Sequence, residues 1–272
     1  MGQPYKKEGI VTFVEGFKYQ NGNIESDTPL SKEVLTSPVI IFKKIFSENF
    51  LNQLRETVVK FNFKYNDYTR GEGGLTFNYT RVDNLHDRKR RARYNVSYSF
   101  YFWDKETPKI ALDVYYAMVK FGNRLSGRKL EDRLKLQNEK IGTMSYFYYP
   151  SGGFLGNHHF DDDIGGYDEI YDEIIIQLSK YGRDYQQGGV YLAPRYRLSE
   201  DYSSNNHGEL QFIEPHIAPG DVMAISIKDV YHKVTPVDPD LNYFDPMKGR
   251  FIASMYYVPT EDLKKLSKTV KN

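Results

Sequence analysis

The sequence of 272 residues contains no cysteine. That absence excludes disulfides, thiolate metal sites and cysteine nucleophiles together, and it leaves histidine and the carboxylates as the only strong metal ligands. The chain also lacks an excess of either charge. Its 37 Lys and Arg residues face 36 Asp and Glu, so it has none of the global positive field that nonspecific nucleic-acid binding needs, although a local basic patch stays open. No segment approaches the ~18 consecutive apolar residues of a membrane span, and the opening MGQPYKKEGIVTF has no apolar run of signal-peptide length. A cytoplasmic protein with no membrane partner is the expectation. Repeats and low-complexity tracts are absent as well. Aromatic residues, in contrast, are plentiful: 24 Tyr and 17 Phe, many in alternating runs such as TMSYFYY and SMYYVP, which suit β-strands with one buried face.

Residues 1–37 are polar and read as an extended N-terminal arm or short hairpin, with Asn21-Gly22 as a turn signal. Residues 38–132 read as helices and strands supporting a sheet. There SENFLNQLRETVVKF starts at Ser47 as N-cap and repeats Phe50, Leu54, Val58 and Phe61 at helical spacing. A second helix begins at Thr107-Pro108, the cap and first-turn signature, and carries Ala111, Val114, Tyr115, Met118 and Val119 toward Gly122. Between these helices, LTFNYTRV and RYNVSYSFYFW read as strands. They are joined by the basic stretch 86–93, a solvated loop in the plain reading and a phosphate or acidic-substrate patch in the functional one. Over 133–258 the helical period gives way to short β-like runs between Gly, Pro, Asn and Asp turns: LKLQNEK, TMSYFYY, DEIIIQL, GGVYL, ELQFIE, DVMAISI, YHKVTPV and RFIASMYYV. Residues 259–272 form a C-terminal tail or short helix. The expectation is one domain over 1–272, mainly β with flanking helices, built on a double-stranded β-helix (jelly-roll, cupin-like) core.

The densest chemistry lies in YFYYPSGGFLGNHHFDDD, residues 146–163. On an extended segment residues two apart share a face, so His159 and Asp161 present one nitrogen and one oxygen to a single ion. His158 is the rival ligand, but its offset from Asp161 is odd and puts the two groups on opposite faces. Asp162 and Asp163 suit turn capping, while His86, His207 and His216 lack partner spacing and are read as structural. A third ligand is offered by His232 in GDVMAISIKDVYHKVTPV. Two imidazoles and one carboxylate on one face of a metal leave positions open for other molecules, the arrangement associated with non-haem iron(II) oxygenases.

The order of these parts resembles the Fe(II)- and 2-oxoglutarate-dependent dioxygenases, in particular the prolyl-4-hydroxylase-like branch, over residues 141–258. The resemblance rests on Tyr149-Pro150 with glycines before His159, on His159-Phe160-Asp161 as His-x-Asp, and on a strand ending in Gln177-Leu178. It continues through Gly188-Gly189, Pro219-Gly220-Asp221, His232-Lys233-Val234 with Pro236-Val237, and Gly249-Arg250. It implies a metal site of His159, Asp161 and His232, and a cosubstrate site in which Arg250 grips the distal carboxylate of 2-oxoglutarate, with Ser254, Gln177 and Tyr149 beside it. The implied cofactors are Fe(II), 2-oxoglutarate and dioxygen, with ascorbate as a supporting reductant.

The implied reaction is hydroxylation of an unactivated C–H bond, coupled to decarboxylation of 2-oxoglutarate to succinate. Because Asp161 is present, hydroxylation is favoured over the halogenation seen where a small residue replaces that carboxylate. The spacing from His232 to Arg250 exceeds the family's usual one through DPDLNYFDPMK, residues 238–248. Such a loop costs only ~0.6 kcal/mol per doubling of length and is read as a lid or substrate loop. Nucleic acid is set aside as a partner, since demethylases of the superfamily carry a second arginine where this chain has Tyr256. A small molecule such as an amino acid is preferred as substrate. A prolyl or other residue of a peptide is the alternative, and a noncatalytic metal-binding jelly roll is the rival of another class.

Overall fold

A computed structural model describes residues 5–62, 80–82, 92–93, 95–100, 105, 107–135, 138–158, 171, 173–194, 211–227, 229–242, 245 and 247–261. In chain order the elements are β1 (Tyr5–Glu8), β2 (Val11–Val14), β3 (Lys18–Gln20), β4 (Asn23–Glu25), helix α1 (Lys32–Leu35), β5 (Val39–Phe42) and helix α2 (Glu48–Asn62). Then come β6 (Thr80–Val82), β7 (Ala92–Arg93), β8 (Asn95–Phe100) and helix α3 (Lys109–Leu125). The remaining strands are β9 (Lys140–Tyr149), β10 (Phe154–His158), β11 (Glu173–Gln177), β12 (Gly189–Pro194), β13 (Gln211–Phe212), β14 (Val222–Ile225), β15 (Val230–Thr235) and β16 (Arg250–Pro259).

Among the described residues the larger sheet has the order β1-β2-β5-β14-β11-β16-β9-β8-β6 and the smaller one the order β13-β12-β15-β10-β7. From β9 onward the chain passes back and forth between the two sheets. The strands β14-β11-β16-β9 of one face β13-β12-β15-β10 of the other, which is the expected double-stranded β-helix. The axis of the larger sheet is β16, paired antiparallel with β9 over ten residues and with β11 on its other side.

Alternation along β16 divides the core in two. Phe251, Ala253, Met255 and Tyr257 join Ile174, Ile176, Tyr146 and Tyr148 in a layer packed on Leu54 and Val58 of α2 and on Val114, Met118 and Phe121 of α3. Ile252 joins Ile175, Val190, Leu192, Val230 and Val234 in a second layer between the sheets. Both faces of β9 and β16 are therefore covered, whereas the alternating aromatics suggest strands buried on one side. Aromatic residues stand on both sides: Tyr146, Tyr148 and Tyr257 face the helices, while Tyr149 and Phe147 pack in the layer between the sheets.

Local signals hold in several places. Ser47 caps α2, its hydroxyl accepting from Phe50 N at 3.3 Å, and Leu54 and Val58 are buried. The buried face of α3 includes all five expected residues, and the helix continues past Gly122 to Leu125. Its first residue is Lys109, with Pro108 itself at the cap position and no side-chain cap bond, one residue later than Thr107-Pro108 suggests. Asn21 and Gly22, both at positive φ, turn the hairpin between β3 and β4. The arm does more than the sequence indicates, because β1 and β2 extend the larger sheet beside β5.

Among the described residues of LKLQNEK only Lys140 lies in a strand. Residues 131–135 form turns and bends, with Arg133 at positive φ, and Asn138 Oδ1 accepts from Lys135 N at 3.2 Å. No described helix is long and apolar enough to cross a membrane. The basic stretch 86–93 lies outside the described residues except for Ala92 and Arg93, whose backbone forms β7.

Candidate active site

The site is built on the inter-sheet face, where β16 places Arg250, Ser254 and Tyr256 at even offsets and β11 places Glu173 and Gln177. Arg250 opens β16 opposite Tyr149, the last residue of β9. The guanidinium is completely buried, and its carbon lies 5.6 Å from the centre of the Tyr149 ring.

The partner of Arg250 is a residue that the sequence reading did not name. Arg250 Nε donates to Glu214 Oε1 at 2.6 Å, and both side chains are fully enclosed. Glu214 Oε1 also accepts from Val190 N at 2.8 Å, while Oε2 accepts from the Tyr185 hydroxyl and has Gln177 Nε2 at 3.4 Å. Gln177 Nε2 further donates to Ser179 O at 2.9 Å and to Tyr185 Oη at 3.2 Å. Burial alone would lower the pKa of Arg250, but Glu214, with Tyr185 and Tyr149, holds it above the usual arginine value. Burial likewise raises Tyr149 and Tyr185, Glu214 adding to the rise in both.

Two glycines make room for this network. A Cβ on Gly189 would overlap the Glu214 side chain, and one on Gly188 would overlap Pro236 O. Both glycines have positive φ. The Gly188-Gly189 pair in the sequence thus marks a close approach as well as a strand start. Pro219-Gly220-Asp221 has a similar structural basis. Gly220 at positive φ passes against Phe46 O, and the Asp221 carboxylate accepts from Lys44 N and Ala218 N, each at 2.8 Å, and pairs with Lys43.

What Arg250 leaves over is the informative part. Among the described residues its two terminal nitrogens, Nη1 and Nη2, are buried without a hydrogen-bond partner, as is Gln177 Oε1. Uncompensated buried cationic donors are costly. A guanidinium held at Nε with its outer edge free presents the planar fork that takes a carboxylate through two parallel bonds. The residues therefore fit the distal carboxylate of 2-oxoglutarate at Arg250. Ser254 sits on the same face but donates to Glu173 Oε1 at 2.6 Å, so its hydroxyl serves a carboxylate of the chain itself.

His232, in β15, is buried, and its Nε2 lies 3.3 Å from Glu173 Oε2. Burial, and then the Arg250 charge, push its pKa down to about 4, so it is a neutral imidazole at ordinary pH, the form in which histidine binds metals. Position 158 of β10 pairs directly with 232, after an irregularity in register that follows Leu155. His159 and Asp161 lie outside the described residues. Among the described residues no three His, Asp or Glu side chains form a metal cluster. His216, in the short 3-10 turn after β13, is exposed and packs beside Phe13, with ring centres 6.3 Å apart.

The loop after β15 is anchored on this scaffold. Asp238 is buried and accepts from Gln186 N and Gln187 N, each at 2.8 Å. Leu241 O accepts from the Ser151 hydroxyl, and Asp245 O accepts from Tyr148 Oη at 2.6 Å. Gly249 N donates to Asp184 O at 2.7 Å and closes the loop onto Arg250.

No family model and no curated protein matches the sequence. Solved structures do match in shape. A prolyl-4-hydroxylase from Pseudomonas putida superposes with a TM-score of 0.52 at 13% identity, covering 84% of this chain and 97% of that one. HygX from Streptomyces hygroscopicus, solved with nickel, 2-oxoglutarate and hygromycin B bound, gives 0.47 at 14% identity over 85% and 88% of the two chains. An oxidoreductase of the 2OG-Fe(II) oxygenase family from Burkholderia pseudomallei gives 0.44 at 13% identity over 81% and 85%. With four strands of the larger sheet facing four of the smaller, an arginine opening the last strand and a buried histidine on the facing sheet, the chain has the fold of the Fe(II)- and 2-oxoglutarate-dependent dioxygenases of the prolyl-4-hydroxylase kind.

Proposed function

We propose that the chain is an Fe(II)- and 2-oxoglutarate-dependent oxygenase that hydroxylates an unactivated C–H bond of a small molecule such as an amino acid or related metabolite. The observation that carries this reading is Arg250: a fully buried guanidinium, fixed through Nε by Glu214, with both terminal nitrogens lacking an acceptor among the described residues. A buried cationic fork on the inner wall of a β-helix, on the face shared with a neutral histidine, calls for a small anion bound beside a metal.

In this reading His159, Asp161 and His232 hold the iron, and Arg250 holds the distal carboxylate of 2-oxoglutarate, with Gln177 and Tyr149 lining the seat. Bound iron and cosubstrate supply the oxidising chemistry. The chain contributes orientation and exclusion of water. Glu214 fixes the plane of the Arg250 fork, the layer of Ile175, Val190, Leu192 and Ile252 keeps the surroundings dry, and His232 stays neutral so that its ring can donate a lone pair. The whole chain acts as one catalytic unit, with ascorbate as a supporting reductant.

The test is succinate formation by the purified protein with ferrous iron, dioxygen, ascorbate and 2-oxoglutarate, extended across a panel of metabolites and peptides. Arg250→Ala should raise the apparent KM for 2-oxoglutarate by one to two orders of magnitude, equivalent to about 1.4–2.8 kcal/mol. Absence of succinate from protein loaded fully with iron would leave a noncatalytic binding module as the better reading.

A further inference from the structure

Among the described residues, carboxylates stand at two points of the inner face near the site, in different settings. Glu214 is fully enclosed and compensates Arg250. Glu173, at the start of β11, has a side chain 14% exposed, with Oε2 itself buried. Ser254 fixes its Oε1 at 2.6 Å, and its Oε2 lies 3.3 Å from His232 Nε2. That contact sets a carboxylate oxygen against a ring nitrogen of a residue that the metal-centre reading makes a ligand.

We propose that Glu173 is a metal-site residue, a carboxylate additional to Asp161 whose charge strengthens cation binding at His232 and weakens binding of the anionic cosubstrate. The inference rests on the metal-centre reading of the site. Metal–nitrogen bonds run about 2.0–2.1 Å, so a cation on Nε2 lies in the same few ångströms as Oε2, in surroundings where charge interactions are screened far less than in water. The same charge acts oppositely on 2-oxoglutarate, a dianion. Counting formal charges for the loaded site, a divalent ion contributes +2, Asp161 −1, 2-oxoglutarate −2, Arg250 +1 and Glu214 −1, which leaves −1 before Glu173 is included. The carboxylate therefore helps the metal and hinders the cosubstrate. A purely structural role predicts no such opposition.

The experiment measures binding of cobalt(II) alone to the metal-free full chain by calorimetry and by its visible absorption. It then measures binding of 2-oxoglutarate to the cobalt-saturated protein, for wild type, Glu173→Gln and Glu173→Asp. Glu173→Gln keeps the size and the bond to Ser254 but removes the charge. The expected result is a cobalt Kd raised about tenfold or more, with a changed cobalt spectrum, and a 2-oxoglutarate Kd lowered several-fold. Glu173→Asp should recover most of the metal affinity. Unchanged cobalt affinity in Glu173→Gln, or weakening of both ligands together, overturns the inference while wild-type binding still supports the site. Failure of wild type to bind cobalt, or full binding by His232→Ala, overturns the metal-centre reading itself.

Discussion

At the scale of single residues, the site depends on a charge pair that neither partner could sustain alone. Arg250 and Glu214 are both fully buried, and removing one member of such a pair leaves an uncompensated charge, at a cost of about 3–5 kcal/mol. Glu214→Leu should therefore lower the stability of the protein by that order in urea denaturation. Replacing both, as Glu214→Leu with Arg250→Met, should restore most of the loss, because apolar side chains of similar volume often substitute for a buried pair without penalty. The double variant should nonetheless fail to bind 2-oxoglutarate. Stability recovered without binding would separate the structural share of the pair from the functional one, whereas two additive losses would show that the pair is not coupled.

Gly189 is the third member of this arrangement. At φ +126° with Glu214 where a Cβ would go, Gly189→Ala combines backbone strain with displacement of the carboxylate. A loss of roughly 2–3 kcal/mol is expected, together with weaker 2-oxoglutarate binding, measured by denaturation and by titration. A change confined to stability would mean that Glu214 keeps its place.

At the scale of elements, the sequence speaks clearly where structure is decided locally. Ser47 precedes a run with apolar residues every three or four positions, and α2 starts just after it. Ser47→Ala should cost about 1 kcal/mol, the usual value of an N-cap side chain, read as a shift in the urea midpoint with an unchanged slope. A shift near zero would mean that the 3.3 Å bond to Phe50 N contributes nothing.

Local pattern misleads where a nearby side chain competes. In LKLQNEK the alternation looks like a strand, but Asn138 takes the Lys135 N–H and the chain turns before β9 begins. The candidate site divides along the same line. His232 and Arg250 were legible because they stand in the order of a known arrangement, though farther apart than usual, and the burial of Arg250 follows from the apolar run after it. Glu214 was not, since its partner lies 36 residues away and the carboxylate sits within a strand-like run, QFIEPHI. The one available signal was a lone charge among apolar residues, which in a buried segment implies a hidden partner. Glu173 and Tyr185 gave no local signal, because what defines them is the meeting of β11, β15 and the turn before β12.

At the scale of the whole molecule, residues 1–37 read from the sequence as an extended arm or short hairpin, and strands within them are part of the architecture. Strand β2 lies parallel to β5 from Val11↔Val39 to Val14↔Phe42, and β1 covers the other side of β2. Without them β5 becomes the edge of the larger sheet. Its sequence, VIIF, is entirely buried, and an uncovered, uncharged apolar edge strand is a template for pairing with another copy. The wall of the candidate site is two strands further in: β5 pairs with β14, and β14 with β11, which carries Glu173 and Gln177. Removal of residues 1–16 should thus separate stability from site chemistry. Burial of Val11 and Val14 accounts for about 3–6 kcal/mol at ~1.5–3 kcal/mol per side chain. The shortened chain should melt well below the full one and associate with rising concentration in light scattering. At low temperature and low concentration, where it is still folded and monomeric, its affinity for 2-oxoglutarate should match that of the full chain. A shortened chain that stays monomeric and equally stable would show that β5 tolerates exposure. One that folds but loses 2-oxoglutarate would show that the arm reaches the site through β14 and β11, and the larger sheet would then have to be treated as a single mechanical unit from its edge to Arg250.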